Sequence, residues 1–298
     1  MNRDSKVKQI ISEEKQIKLL TLIENTAASD KLYTEHGLSF YIEHMGVKIL
    51  FDTGASGLFA KNAARMLIDL KKLDAAVLSH NHTDHTGGLD TLLGYQPGIK
   101  VYAKKAVLEG FFKKAGIFRV PAGLGADYFA KRAENFVLFN NFQQIAGTDG
   151  LFLMSNETFD ECFTDKTLLM KKNGKAVHDD YSHELFMVVF PSGEPEDGIV
   201  VISSCSHSGV VNILNTVRRT WEGAPILGFA GGIHLTTNGG KKLIASFDEI
   251  ERIANDIKEM DIGTVYVCHS TGQKGYERLK IHLGDQVQYL RAGEELEF

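Results

Sequence analysis

No uninterrupted apolar run in this 298-residue sequence approaches the ~20 residues that a membrane-spanning helix needs, so no bilayer span is expected. The opening MNRDSKVKQIISEEKQIKLL mixes acids with bases and lacks a signal-type apolar core. Cysteine is scarce. Cys162, Cys205 and Cys268 are too few, and odd in number, for a disulfide framework. A reduced, cytoplasmic protein without membrane association is the expectation. Charge of one sign is missing too: 33 basic against 38 acidic residues leave a net −5, so no general polyanion-binding surface is implied. Without a local basic patch, nucleic acid is not an expected partner. Low-complexity tracts, linkers and short repeats are absent. The chain therefore reads as one domain over 1–298, with an inserted flap or lobe around 104–150. Oligomeric state is left open.

The 43% hydrophobic and 24% charged content is that of a soluble globular protein, long enough to bury a substantial core. IKLLTLIEN (17–25) reads as a buried strand, and LSFYIEHMGVKILFDTG (38–54) as a hairpin around Met45-Gly46. Ser56 is placed to cap a helix carrying Leu58, Ala60, Ala64, Leu67 and Leu70. KKAVLEGFFKKAG (104–116) has helical spacing. From 151 strands return, and the last third alternates strand with helix: GIVVISS, VVNILNTVRRTW, PILGFA, SFDEIERIANDIKEM, TVYVC, YERLKIHL. That alternation predicts an α/β protein whose sheets are covered by helices.

One stretch departs from this ordinary composition. VLSHNHTDHTGG (77–88) packs three of the chain's 11 histidines and an aspartate into the six positions from His80 to His85. Along an extended chain residues i and i+2 share a side, so His80 and His82 can face one metal ion. Asp84 and His85 follow where the chain turns toward Gly87-Gly88 and can serve a second. Imidazole and carboxylate suit zinc, iron or manganese. Further ligands are sought at other strand ends, which carry Cys205 and His207 in ISSCSHSG, His234 in GFAGGIHL, and Cys268 and His269 in VYVCHSTG. That rim is where α/β proteins bind ligands. Among these, His207 and His269 are the stronger ligand candidates. His234 stands evenly between ligand, substrate contact and structural residue. Cys205 and Cys268 read as packed thiols, although Cys205 sits where a ligand could. His36, His44, His178 and His282 read as solvated or hydrogen-bonded residues.

HNHTDH resembles the H-x-H-x-D-H signature of the metallo-β-lactamase superfamily, and FDTG (51–54) its earlier Asp motif. SCSHSGVVNIL, GGIHL and CHSTG further resemble one branch, the 7,8-dihydropterin-6-methyl-4-(β-D-ribofuranosyl)-aminobenzene-5′-phosphate synthase-like metal-dependent hydrolases. The resemblance spans Asp52 to Gly272. It implies the αββα sandwich, two β-sheets with helices on the outer faces, and one or two divalent metal ions at the sheet edge, zinc first among them. It gives Asp52 a supporting role behind the metal loop, and has His269 complete the site begun by Asp84 and His85.

Two features depart from the superfamily. Its T-P-G-H-type segment is replaced by VHDDYSHELFMVV, which offers Asp179, Asp180, His183 or Glu184. Its bridging aspartate is replaced in that region by Cys205, with His207 two residues on. His207 is expected to reach the metal, with His183 and Asp179 as competing suppliers. The implied activity is hydrolysis by a metal-activated water on a small-molecule substrate, phosphate-bearing or pterin-like. Asp84 would orient the water, and His234 would hydrogen-bond a developing oxyanion or a substrate phosphate. The branch name implies a synthase instead, joining a dihydropterin to an aminobenzene ribotide phosphate. A metal-dependent oxidoreductase and a non-catalytic metal-binding protein are the remaining alternatives.

Overall fold

Alternate side chains of a strand point to opposite faces, and in this chain both faces are apolar. In Ile17–Ile23, Ile17 and Leu19 enter one apolar cluster while Leu20 and Leu22 enter another. Strand Val47–Phe51 divides likewise, Ile49 and Phe51 to one side and Leu50 to the other. Sheets apolar on both faces must be covered on both, and a layered α/β arrangement results.

The computed structural model describes residues 17–156, 168–172, 174–237 and 239–298; Cys162 lies outside them. It contains two seven-stranded sheets. The first runs in the order Glu295–Glu297, Ile17–Ile23, Ser39–His44, Val47–Phe51, Ala75–Val77, Val101–Lys104, Phe136–Phe139. The second runs Val287–Tyr289, Thr264–Val267, Ile226–Gly231, Ile199–Ser203, Phe186–Val189, Leu151–Met154, Phe142–Gln144. Their inner faces share one core, in which Phe40, Ile42 and Phe51 belong to the same cluster as Met187, Val189, Val200 and Ile202. Helices Leu58–Arg65 and Leu89–Tyr95 cover the outer face of the first sheet. Val210–Thr220, Phe247–Glu259 and Gly272–Leu283 cover that of the second. This is the αββα sandwich that the resemblance implies. No helix among the described residues is long and apolar enough to cross a membrane.

Val47–Phe51 and Ala75–Val77 run parallel in the first sheet, as do Ile199–Ser203, Ile226–Gly231 and Thr264–Val267 in the second. The residues just beyond their carboxyl ends include Asp52, His80, Cys205, His234 and His269. Strand direction thus gathers the histidine-bearing loops.

Two local expectations give way. Residues 104–116 are a 3₁₀ turn, Lys105–Leu108, and a strand, Gly110–Ala115, because pairing with Leu168–Lys172 and Phe118–Pro121 overrides helical spacing. Lys175–His178 completes this extra four-stranded sheet. The stretch 104–150 therefore divides. Gly110–Pro121 joins the extra sheet, Phe129 packs under the first main sheet, and Phe136–Phe139 and Phe142–Gln144 become edge strands of the two main sheets. The helix expected from Ser56 runs only from Leu58 to Arg65; Gly57 stands at its cap, and the Ser56 hydroxyl accepts the Leu58 N–H at 3.2 Å. It stops short because Leu67 turns left-handed at φ 62° and is exposed.

Candidate metal centre

The rings of His80, His82 and His207 form a triangle, with centroids 4.6, 4.9 and 4.9 Å apart. Their neighbours orient them. The Ser79 hydroxyl donates to Asp52 Oδ2 at 2.6 Å, so its lone pair is free to accept from His80 Nδ1 at 2.8 Å. That leaves His80 Nε2 unprotonated, buried and without a hydrogen-bond partner, the form in which imidazole binds metal. Burial, with the neighbouring His85 charge, lowers the His80 pKa well below the usual histidine value.

His82 turns Nε2 to Asp179 Oδ2 at 3.2 Å, which leaves Nδ1 available. Asp179 also takes His183, whose Nε2 lies 3.2 Å from both carboxylate oxygens while its Nδ1 accepts the Asn81 N–H at 2.9 Å. Burial would raise the Asp179 carboxyl, yet the His183 and His82 rings hold it well below the usual range. His207 stacks on Tyr181 at 4.6 Å with an interplanar angle of 3°. Glu184 accepts the His207 and Ser208 N–H groups at 2.7 and 2.8 Å, so it braces the loop. Asp180 faces outward and pairs with Lys172 at 2.8 Å.

A second group converges beside the first. Asp84 Oδ2 lies 3.3 Å from His269 Nε2 and 3.7 Å from His85 Nε2, and Cys205 Sγ lies 3.3 Å from His85 Nε2. The short helix Thr83–Thr86 re-aims Asp84 and His85 relative to His80 and His82. The glycines that follow are required by close approach: a Cβ on Gly87 would meet Ala55 O at 2.1 Å and one on Gly88 Thr53 O at 2.3 Å. His85 Nδ1 reaches Asp52 Oδ2 at 2.8 Å. Asp52 Oδ1 accepts Ser79 N–H at 2.7 Å, and Ser204 Oγ donates to Oδ2. His269 donates its backbone N–H to the buried Glu24 at 2.7 Å and sets Nδ1 3.2 Å from Asn25 Oδ1.

Cys205 belongs to both groups. Ligand atoms of His80, Cys205 and His207 lie within 4.8 Å of one another, and so do those of His85, Cys205 and His269. The packed-thiol reading holds for Cys268, which joins the inter-sheet core, but Cys205 points into the histidine cluster instead. Burial would raise its thiol; the His85 and His269 charges draw it well below the usual range. Against their own burial, His85 is raised well above normal by Cys205, Asp84 and Asp52, and His269 is pushed up to about 9 by Cys205 and Asp84.

These donors fit divalent ions. Imidazole nitrogen, carboxylate oxygen and thiolate sulfur are zinc's usual ligands, and the ring nitrogens of His207, like His80 Nε2, are buried without a hydrogen bond among the described residues. Both His234 nitrogens likewise lack a geometric hydrogen-bond partner among the described residues, with the ring 4.2 Å from His207. His36, read as solvated or hydrogen-bonded, is half-exposed with Nδ1 3.4 Å from Asn25 Oδ1, and it also faces Asp84 Oδ2 at 3.3 Å and stacks on His269 at 4.9 Å. Burial and the His269 charge lower its pKa to about 4. His44 is hydrogen-bonded as expected, its Nε2 3.3 Å from Asp149 O. A cavity of about 340 Å³ opens over both groups. Its walls include His36, His82, Asp84, His207, His234 and His269.

Residues 32–155 match the family model described as the metallo-beta-lactamase superfamily. The chain is 26% identical to the 7,8-dihydropterin-6-methyl-4-(β-D-ribofuranosyl)-aminobenzene-5′-phosphate synthase of Methanocaldococcus jannaschii, over 95% of this chain and 97% of that protein. It is similar to the crystal structure of Tm1679, a metal-dependent hydrolase of the β-lactamase superfamily. There the identity is 27% and the TM-score 0.77, covering 95% of this chain and 99% of that one. YhfI from Bacillus subtilis, a metallo-β-lactamase fold protein, shares the fold at 14% identity and a TM-score of 0.57, covering 95% and 100% of the two chains.

Proposed function

We propose, from its likeness to the metallo-β-lactamase superfamily, that the chain is a metal-dependent hydrolase of a small, phosphate-bearing or pterin-like substrate. One observation carries this reading: two ligand groups, sharing Cys205, meet at the carboxyl ends of strands from both sheets. His80, His82 and His207 would hold one divalent ion, and Asp84, His85 and His269 another, with Cys205 between them. Zinc suits this donor set best, and iron or manganese is compatible. An ion held there supplies Lewis acidity and an activated water at neutral pH.

The chain's own residues do the rest. Asp52 fixes His85 and, through Ser79, His80, while Asp179 fixes His82 at the cavity wall. Asp84, 24% exposed at its side chain, is placed to orient the attacking water. His234, whose buried ring nitrogens lack a geometric hydrogen-bond partner among the described residues, is placed to donate to the substrate oxygen that gains charge. A second reading, a synthase joining a dihydropterin to an aminobenzene ribotide phosphate, is favoured by the name of the M. jannaschii relative, which matches along 95% of this chain.

Elemental analysis and turnover on a phosphodiester panel test the proposal together. The purified protein should hold one to two equivalents of transition metal and hydrolyse a member of the panel. A His82→Ala variant should stay folded, lose much of the metal and lose turnover. Equal metal in both proteins would sink the ligand assignment. Metal-loaded protein that joins the two synthase substrates and hydrolyses nothing would move the conclusion to the second reading.

The place of Cys205 has its own spectroscopic consequence. Cobalt-loaded protein should show a near-ultraviolet thiolate-to-cobalt charge-transfer band that disappears in Cys205→Ser and persists in Cys268→Ser. A band unchanged in Cys205→Ser would remove the thiol from the ligand set.

A further inference from the structure

The extra four-stranded sheet overhangs the cavity and has no role in the function proposed above. Its register supplies one. Lys113, on Gly110–Ala115, lies directly opposite Leu168 on one neighbouring strand and Val120 on the other. Directly paired residues share a face, so Leu168, Lys113 and Val120 form a single row across three strands. All three line the cavity that holds Asp84, His207 and His269. Phe111, two residues before Lys113 and so on the same face, confirms the direction: its ring lies 4.0 Å from that of His183.

Lys113 is chemically distinct within this cavity. Among the described residues it is the sole lysine or arginine in the lining, and no ion pair is formed by its ammonium group. Asp84, also in the lining, is already engaged by His36, His85 and His269. An unpaired ammonium framed by two apolar side chains matches an oxyanion carried on an apolar body. The charge would pair with the anion, and Val120 and Leu168 would cover the body beside it.

We infer that Lys113 determines substrate specificity by binding an organic oxyanion, a phosphate or a carboxylate, with the Leu168–Lys113–Val120 row contacting the apolar part that carries it. This deepens the hydrolase reading and rests on it for the location of the reacting atoms. Lys113 itself supplies no metal ligand, so the two can fail separately.

Calorimetric titration of the metal-loaded protein with phenyl phosphate and with benzoate tests it, with benzyl alcohol as the neutral probe. Lys113→Met should weaken the preferred anion about tenfold to a hundredfold, the scale of one lost charged hydrogen bond. Lys113→Arg should retain most of the affinity. Benzyl alcohol binding and metal content should not change in either variant. Whichever anion binds tighter in the wild type identifies the oxyanion. Equal anion affinity in wild type and Lys113→Met would overturn the inference, because the metal side would then hold the anion alone. Repeating the titration after chelation separates the two ideas. A Lys113-dependent affinity that survives chelation supports the inference even if the purified protein proves to hold no metal.

Discussion

Asp52→Ala is expected to cost about 3–5 kcal/mol of stability, the scale for breaking a buried charged pair, and to release bound metal in the same step. Asp52 is fully buried and accepts from four donors: the Ser79 N–H and hydroxyl, the Ser204 hydroxyl and His85 Nδ1. Alanine leaves the Ser79 N–H, the Ser204 hydroxyl and His85 Nδ1 buried without this acceptor, and the Ser79 hydroxyl with His80 Nδ1 alone. Each bond also orients something. The Ser79 hydroxyl sets the His80 tautomer, and the Asp52–His85 contact aims His85 Nε2 at Cys205 and Asp84. Both ligand groups would therefore lose a correctly presented ring. Ser204→Ala removes only one donor and should cost about 1 kcal/mol. Denaturant unfolding, with metal analysis of the folded fraction, measures both effects. An Asp52→Ala protein with an unshifted midpoint, or with its full complement of metal, would show that the carboxylate organises neither group.

The H-x-H-x-D-H segment was legible because its chemistry is local. Four donors sit within six residues, and the chain turns into the short helix Thr83–Thr86 between His82 and His85, so the sequence alone brings them to one place. The α/β class was legible in the C-terminal alternation of strand and helix, whereas the αββα sandwich came from the resemblance of the motifs, because the pairing of two sheets face to face leaves no local mark in the sequence. Cys205 was harder to read. Cys205 and Cys268 both follow a strand end, and the sequence does not say that one enters the inter-sheet core while the other turns into the histidine cluster. His36 depended on contacts with Asn25, Asp84 and His269, none of them near in sequence. Asp179 and Asp180 are adjacent, yet one lies under His82 and His183 and the other faces solvent with Lys172. The strand Gly110–Ala115 was misread because its partners lie on strands at 118–121 and 168–172, and pairing outweighed its helical spacing.

His269→Ala should lower the melting temperature of the metal-loaded protein by about 5–10 °C more than it lowers that of the chelated protein. The imidazole has two kinds of neighbour. Asn25 and His36 would be lost as packing partners whether or not metal is present. Asp84, His85 and Cys205 converge with His269 Nε2 on the proposed second ion. The backbone bond from His269 N to Glu24 survives truncation, so the loop keeps its anchor. An ion shared by Asp84, His85 and His269 would tie the histidine-rich loop of the first sheet to a strand end of the second. Binding to the folded state alone adds about 2.7 kcal/mol at a hundredfold excess over the dissociation constant. At roughly 2–4 °C per kcal/mol for domains of this size, that is the expected difference. The packing loss appears in both conditions and cancels in the comparison. Metal content should fall by one equivalent rather than two, because His80, His82 and His207 keep their own group. Melting curves of both proteins, with and without chelator, provide the measurement. An equal drop in both conditions would make His269 a packing residue, and a protein holding a single ion would follow.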